Sequence, residues 1–407
     1  MSSASAADAP AQAQSAPMHR LGLGLLSLGH FTVDVCQGGL PVLVPFLFID
    51  LELSYTSAAL VITVAALTSS VIQPLFGFLA DRMTQRWLLP LGCFLATAGL
   101  ALAGQAPSYA LLLALVIASN LGVAMYHPEA ARAANLFAGA RKASGMSLFA
   151  VGGNLGFAAG PALVGALLVA FGRPGVLGLF ALATAIPALF LVVAPRLPKT
   201  PPSRAPGAPS AAAPQRPSAG RPMALLVAVI ASRQWAQANL LTFVPLYVVT
   251  YLHESPALAS QLLAVLSLGS VVGTLVAGRL GDRFGPRPVI ATSLFVATPL
   301  LLLLFVVAGP AMFAVIFLAG AALVMALSLS VVLAQAYMPE RTALAAGLTL
   351  GLGVGLGGVG SAVLGGVADA IGLGRTVGLF WLAPLLGALL SLALPSAARA
   401  TRGSDQK

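Results

Sequence analysis

The chain has 407 residues; 58% are hydrophobic, only 8% are charged, and the mean hydropathy is +0.96. Soluble proteins carry about 25% charged residues, so a water-soluble globule is excluded because too few polar side chains exist to cover its surface. The net charge of +10 does not mark a nucleic-acid partner, because the basic residues follow the apolar segments rather than forming one patch.

Residues 1–20 are rich in Ala, Ser, Gln and Pro and are expected to form a disordered N-terminal tail. They lack the basic start and nearby cleavage site of a signal peptide. Apolar runs of about 20 residues, enough to cross ~30 Å of hydrocarbon, then recur along the chain. Helices are predicted near 21–50, 56–80, 87–104, 109–131, 142–171 and 175–195. Six more follow near 223–252, 256–280, 287–307, 310–337, 342–370 and 375–395. The expected fold is an all-α membrane protein with twelve transmembrane helices in two pseudo-symmetric six-helix bundles, 21–195 and 223–395. The segment 196–222 is proline-rich and basic without an acid, and reads as a cytoplasmic linker. Residues 396–407 form a cytoplasmic tail. With the N-terminus inside, all but three of the 21 Lys and Arg fall on the inner side, the exceptions being Arg173, Arg233 and Arg375. That is the positive-inside signature and places both termini in the cytoplasm.

The halves repeat each other. Residues 77–86 read GFLADRMTQR, and 201 positions later 278–287 read GRLGDRFGPR. Gly77, Asp81 and Arg82 thus match Gly278, Asp282 and Arg283. Cys36 and Cys93 lie inside apolar helices and indicate neither a disulfide framework nor a metal site.

Twelve spans, a central basic linker and paired Gly-x-x-x-Asp-Arg loops resemble the major facilitator superfamily. Within it the chain is most similar to the fosmidomycin-resistance group of drug exporters. The residues that carry this are His30-Phe-Thr-Val-Asp34, Gln73-Pro74, Tyr126-His127-Pro128-Glu129, and Ser147-Leu-Phe149 before Gly152-Gly153-Asn154, with Gly160-Pro161 after them. The resemblance implies proton-driven export of fosmidomycin or another small anion across a bacterial inner membrane, by alternating access and without a bound cofactor. The alternative is an importer or uniporter of an organic acid or sugar on the same fold. Neither an enzyme nor a nucleic-acid partner is expected, and the default assembly is a monomer in the lipid bilayer.

Asp34 is an acid in mid-span, where a carboxylate is costly and calls for a function. It is assigned to proton coupling, with His30 one turn away on the same helix face. Arg233, at similar depth in the seventh span, is the candidate anion ligand. It is expected to meet Asp34 directly or through water, either as an exchange site or as a permanent pair. Gln37, Gln234, Gln237, Trp235 and Asn239 are candidate substrate contacts beside them.

Gly77, Asp81, Arg82, Gly278, Asp282 and Arg283 are assigned to a cytoplasmic gate, the glycines allowing close helix contact and each Asp capping a neighbouring helix. Glu129 with Arg132, and Glu340 with Arg341, are expected to end the fourth and tenth spans and extend that network. His127 is placed in the same network rather than at a metal. Gly152, Gly156, Gly160 and Pro161 resemble the antiporter motif of drug exporters, although small-residue packing is an equal reading. The fourth span carries no Arg over Ala118–Gly122, unlike general drug–proton antiporters, which shifts the coupling burden to Asp34, His30 and Arg233.

Overall fold

The computed structural model describes residues 17–53, 55–82, 87–193, 195, 220–254 and 256–395. The expectations for residues 1–16, for 196–219 of the linker, for Arg86 and for the tail 396–407 lie outside these described residues. Among the described residues the chain is helical throughout, with no strand. The first half contains α1 (Arg20–Asp50), α2 (Tyr55–Arg82), α3 (Leu88–Ala103), α4 (Tyr109–Phe137), α5 (Lys142–Gly175) and α6 (Phe180–Val193). The second contains α7 (Gly220–Leu246), α8 (Pro256–Phe284), α9 (Pro286–Leu304) and α10 (Pro310–Tyr337). Next comes α11, a run of Thr342–Gly347, a wide π turn over Leu348–Gly353, and Val354–Ile371; a short helix, Leu373–Val377, then leads into α12 (Leu382–Leu392). These are the twelve transmembrane helices of two pseudo-symmetric bundles. Seven helical runs among the described residues are long and apolar enough to cross a membrane by length and composition alone.

Because successive helices alternate in direction, Arg20, Arg82, Arg132, Lys142, Arg283, Arg287 and Arg341 all fall toward one end of the molecule, here termed the basic end. Local chemistry fixes several boundaries. Gly285 and Gly309 adopt φ of 85° and 61°, and Pro286 and Pro310 then open α9 and α10. Only glycine takes such angles freely, and proline suits a first helical turn because it has no N–H to leave unpaired. The α5 helix runs unbroken through Pro161 and departs from helical geometry at Gly172, with φ 64°.

Two elements extend beyond their predicted limits. The α7 helix starts at Gly220, inside the segment expected to be linker. The α4 helix continues to Phe137, carrying Glu129 and Arg132 inside the helix rather than at its end. Arg132 donates to both carboxylate oxygens of Glu129, which lets two charges stay helical and buried.

Burying aliphatic surface gains little when lipid is the alternative, so close approach of small residues holds membrane helices together. A β-carbon at Gly156 or Gly160 would strike the backbone carbonyl of Phe31 or Val35, so α5 lies directly on α1. On α11 a β-carbon at Gly353 would stand 2.8 Å from Ile230, and one at Gly360 would stand 2.6 Å from Trp235, which seats that helix on α7. Each half has its own aromatic core, Tyr126, Phe149 and Phe190 in the first and Phe243, Phe305 and Phe380 in the second. Leu, Val and Phe side chains such as Val71, Val169 and Val306 point outward and form the lipid-facing surface. The two halves meet along α2–α11 and α5–α8.

Candidate functional site

Between the halves at mid-depth lies a cavity of about 420 Å³. The first half contributes His30, Asp34, Gln37, Gln73, Asn120, His127, Phe149, Asn154 and Phe157 to its wall; the second contributes Gln234, Leu327, Ser328, Val331 and Leu350. The lining is chiefly apolar, interrupted by amides, two imidazoles and one carboxylate. That mixture suits a small organic molecule with an apolar body and a polar head.

Asp34 sits halfway along the 31-residue α1. Its Oδ2 lies 3.3 Å from His30 Nε2 and its Oδ1 lies 3.2 Å from His127 Nε2. The other nitrogen of each ring faces a backbone carbonyl: His30 Nδ1 is 3.0 Å from Phe149 O, and His127 Nδ1 is 2.9 Å from Val123 O. His30 stacks on Phe149 with centroids 4.2 Å apart and meets His127 edge-on at 4.9 Å. Gly153 makes the space for this, since a β-carbon there would strike His30 Nε2 and stand 2.7 Å from Asp34 Oδ2. Tyr126 anchors α4 against α1 by donating to Leu26 O at 2.5 Å.

His127 therefore belongs to the mid-depth cluster and not to the network at the basic end. The physical reason is the length of α4, which places residue 127 ten residues before the helix ends. His30, Asp34 and His127 also offer three atoms to a cation within 4.8 Å of one another. Each imidazole, however, faces its own carboxylate oxygen, so the groups form a chain. One ion held at about 2.0–2.2 Å from each ligand would have to draw them together.

Arg233 does not meet Asp34. It is 4% exposed, and donates to Leu323 O at 2.8 Å, Gln234 Oε1 at 2.7 Å and Gln237 Oε1 at 3.3 Å. Gln234 stands between this guanidinium and the cavity and lines its wall. Of the other expected contacts, Gln37 also lines the cavity. Trp235 packs on Gly360, and Asn239 is fully buried; the Trp235 Nε1 and both polar atoms of the Asn239 amide have no hydrogen-bond partner among the described residues.

At the basic end, Asp282 of α8 accepts from the amides of Ala143 (2.9 Å) and Ser144 (3.1 Å) in the first turn of α5, and from the Ser144 hydroxyl. Asp81 of α2 accepts from Ala343 (3.0 Å) and Leu344 (2.8 Å) in the first turn of α11. Each carboxylate thus caps a helix in the opposite half, where the unpaired N–H groups and the helix dipole both favour it. A β-carbon at Gly77 would stand 2.5 Å from Ala343 O, and one at Gly278 would stand 2.9 Å from the backbone of Ser144, so both glycines permit the crossing. Arg82 and Arg283 lie instead over Phe78 and Phe284, at 3.9 and 5.1 Å. Glu340 and Arg341 are exposed in the turn between α10 and α11. Asn135 donates to Gln335 at 2.7 Å, and Asn154 to Thr274 at 2.8 Å, adding two more bonds between the halves.

Gly152 and Gly156, with Gly160, form the face of α5 that lies on α1, while Pro161 is exposed. The expected antiporter pattern is therefore, in its geometry, the packing surface that also makes room for His30 and Asp34.

The family model described as Major Facilitator Superfamily matches residues 26–253 and 226–406. The chain belongs to the major facilitator superfamily. It is 31% identical over 382 residues to the uncharacterized MFS-type transporter YfnC of Bacillus subtilis, covering 91% of this chain and 92% of that one. It is 28% identical over 380 residues to the fosmidomycin resistance protein of Escherichia coli, covering 92% of each. Among solved structures, the major facilitator transporter FucP in the outward conformation matches with TM-score 0.73 at 17% identity, over 92% of this chain and 98% of that one. A second FucP structure, the E. coli fucose:proton symporter carrying N162A, gives 0.72 at 17% identity over 93% of this chain and 100% of that one. The chain is thus a multi-pass membrane transporter of this superfamily and not an enzyme.

Proposed function

We propose that this transporter exports a small anionic organic compound in exchange for protons, by alternating access across a bacterial inner membrane. The observation that carries the reading is the 420 Å³ cavity at mid-depth, bordered by Asp34 and bridged toward the basic end by the Asp81 and Asp282 caps. A central site between two halves that are bonded together at one end fits alternation. The bias of Lys and Arg toward the basic end supports placing that end, and both termini, in the cytoplasm. Fosmidomycin is the first candidate cargo, supported by the name of the E. coli relative. In this reading Asp34 and His30 carry the protons, and the buried charge of Arg233, set behind Gln234, draws an anion toward the second-half wall. The proton gradient supplies the energy, and the working unit is a monomer.

One observation favours uptake as a second reading. Asp34 lies between two imidazoles rather than against Arg233, so proton loading makes the wall positive and lets an anion bind together with protons. Direction is tested by expressing the chain in a pump-deficient bacterial strain exposed to fosmidomycin. Raised tolerance that disappears in Asp34→Asn supports export. Increased sensitivity overturns it in favour of uptake, and unchanged tolerance removes fosmidomycin as cargo.

A further inference from the structure

We infer that His30, Asp34 and His127 form a two-proton site, with His127 as the second proton-binding ring. The inference rests on the proton-coupled reading above and extends it by fixing how many protons the site holds.

The two rings are oriented by acceptors that cannot change role. A backbone carbonyl only accepts, so Nδ1 of His30 against Phe149 O and Nδ1 of His127 against Val123 O each keep a hydrogen. Only Nε2 of each ring remains to exchange a proton, and it faces a different oxygen of Asp34, at 3.3 and 3.2 Å. With no proton between them, an imidazole lone pair and a carboxylate oxygen are two acceptors in contact and repel. One proton turns one contact into a hydrogen bond and leaves the other unmade. A second proton completes both. A third would set two hydrogens against each other across one contact. The cluster therefore saturates at two, and its net charge runs from −1 when empty to +1 when full.

Among the described residues, the neighbouring elements bring no other charged group against the cluster. On α4, the Tyr126 hydroxyl is committed to Leu26 O, and Glu129 is closed on Arg132. Cys36 of α1 donates toward Thr32 O and Cys93 of α3 toward Gly29 O. Arg233 of α7 is held by Leu323, Gln234 and Gln237. The charged groups of α2 and α5, namely Asp81, Arg82, Lys142 and Arg173, stand near the helix ends. The described parts of α10 and α11 bring the Ser328 hydroxyl and otherwise apolar side chains to the cavity. Stacking on Phe149, together with the backbone of Gly153 against the ring, keeps His30 from swinging away.

The test needs no cargo. The full-length protein, labelled with ¹⁵N-histidine and held in lipid nanodiscs, is followed by nitrogen NMR between pH 5 and 9. The chain has four histidines, and His19 and His253 report on folding. Both His30 and His127 are expected to change protonation at Nε2 while Nδ1 keeps its hydrogen, and Asp34→Asn should shift both transitions together. His127→Gln, whose side chain still bonds Asp34 but carries no exchangeable ring proton, should leave one transition at His30. The inference is overturned if His127 holds one protonation state across the range, or if Asp34→Asn moves His30 alone. Because no transport is measured, a two-proton result with no gradient-driven export would sink the transport reading and not this one.

Discussion

Asp81 and Asp282 do the same thing in opposite directions: each caps the first turn of a helix in the other half, the first at Ala343 and Leu344, the second at Ala143 and Ser144. The pairing joins α2 to α11 and α8 to α5, so breaking both caps removes four backbone-amide bonds between the halves at one end. The two are not equal in environment. Asp81 is 4% exposed, whereas Asp282 is open to solvent.

The Asp81→Asn variant should accordingly loosen the basic end more than Asp282→Asn. A hydrogen bond to a charged group contributes about 1.5–3 kcal/mol, and exposure reduces that share at Asp282. Spin labels at the exposed positions 140 and 284 should report a longer distance distribution in the double variant than in the parent. An unchanged distribution in the double variant would remove the gate assignment.

Gly153→Ala should disturb the cavity chemistry without unfolding the chain. Alanine favours a helix over glycine by up to about 1 kcal/mol, but its methyl group would strike His30 Nε2 and crowd Asp34. Gly24→Ala is the control, because nothing lies within 4 Å of its added carbon. The His30 nitrogen resonances should move in the first variant and stay in place in the second, with similar thermal unfolding midpoints in both.

Glu129→Gln should lower the unfolding midpoint in detergent by several degrees. The pair it breaks is almost fully buried, with Glu129 at 2% and Arg132 at 5% exposure. Removing one member of a buried pair typically costs about 3–5 kcal/mol, because the other charge stays behind. A midpoint within a degree of the parent would show that water reaches the pair.

Arg173 fastens three connections at the end opposite the caps. It donates to Gly104 O at 2.8 Å, Ala106 O at 2.7 Å and Asp50 at 3.1 Å, while Gln105 donates to its carbonyl at 2.6 Å. Arg173→Lys should destabilise nearly as much as Arg173→Ala, since one ammonium cannot span the fork geometry. Asp50→Asn should change stability by no more than about 1 kcal/mol, because that side chain is 47% exposed. Limited proteolysis at the loop 104–108 would register all three.

The sequence displayed these features unevenly. Apolar length and the Asp-Arg repeat made the twelve helices and the duplicated loops legible, because both depend on local composition. The helix-capping role of Asp81 and Asp282 was legible as chemistry, but the helix each one caps is set by how the halves dock. Arg233 and Asp34 occupy similar depths in related helices, yet depth says nothing of azimuth, and Asp34 turns toward α4 and α5. His127 lies far from Asp34 in sequence, and the charges of Glu129 and Arg132 soon after it suggested a helix end. The internal Glu129–Arg132 pair let the helix continue to Phe137, which leaves His127 well inside it and level with Asp34. The π turn in α11 left no mark in the spacing of apolar residues.

The wide turn at Leu348–Gly353 has a mechanical meaning. It sits between the α11 residues that Asp81 holds and Gly357 and Gly360, which lie on Gln234 and Trp235. One extra residue in a turn offsets everything beyond it by about 100° around the helix axis and about 1.5 Å along it. Passing that residue up or down the glycine run would turn α11 like a screw, carrying Leu350 of the cavity wall with it.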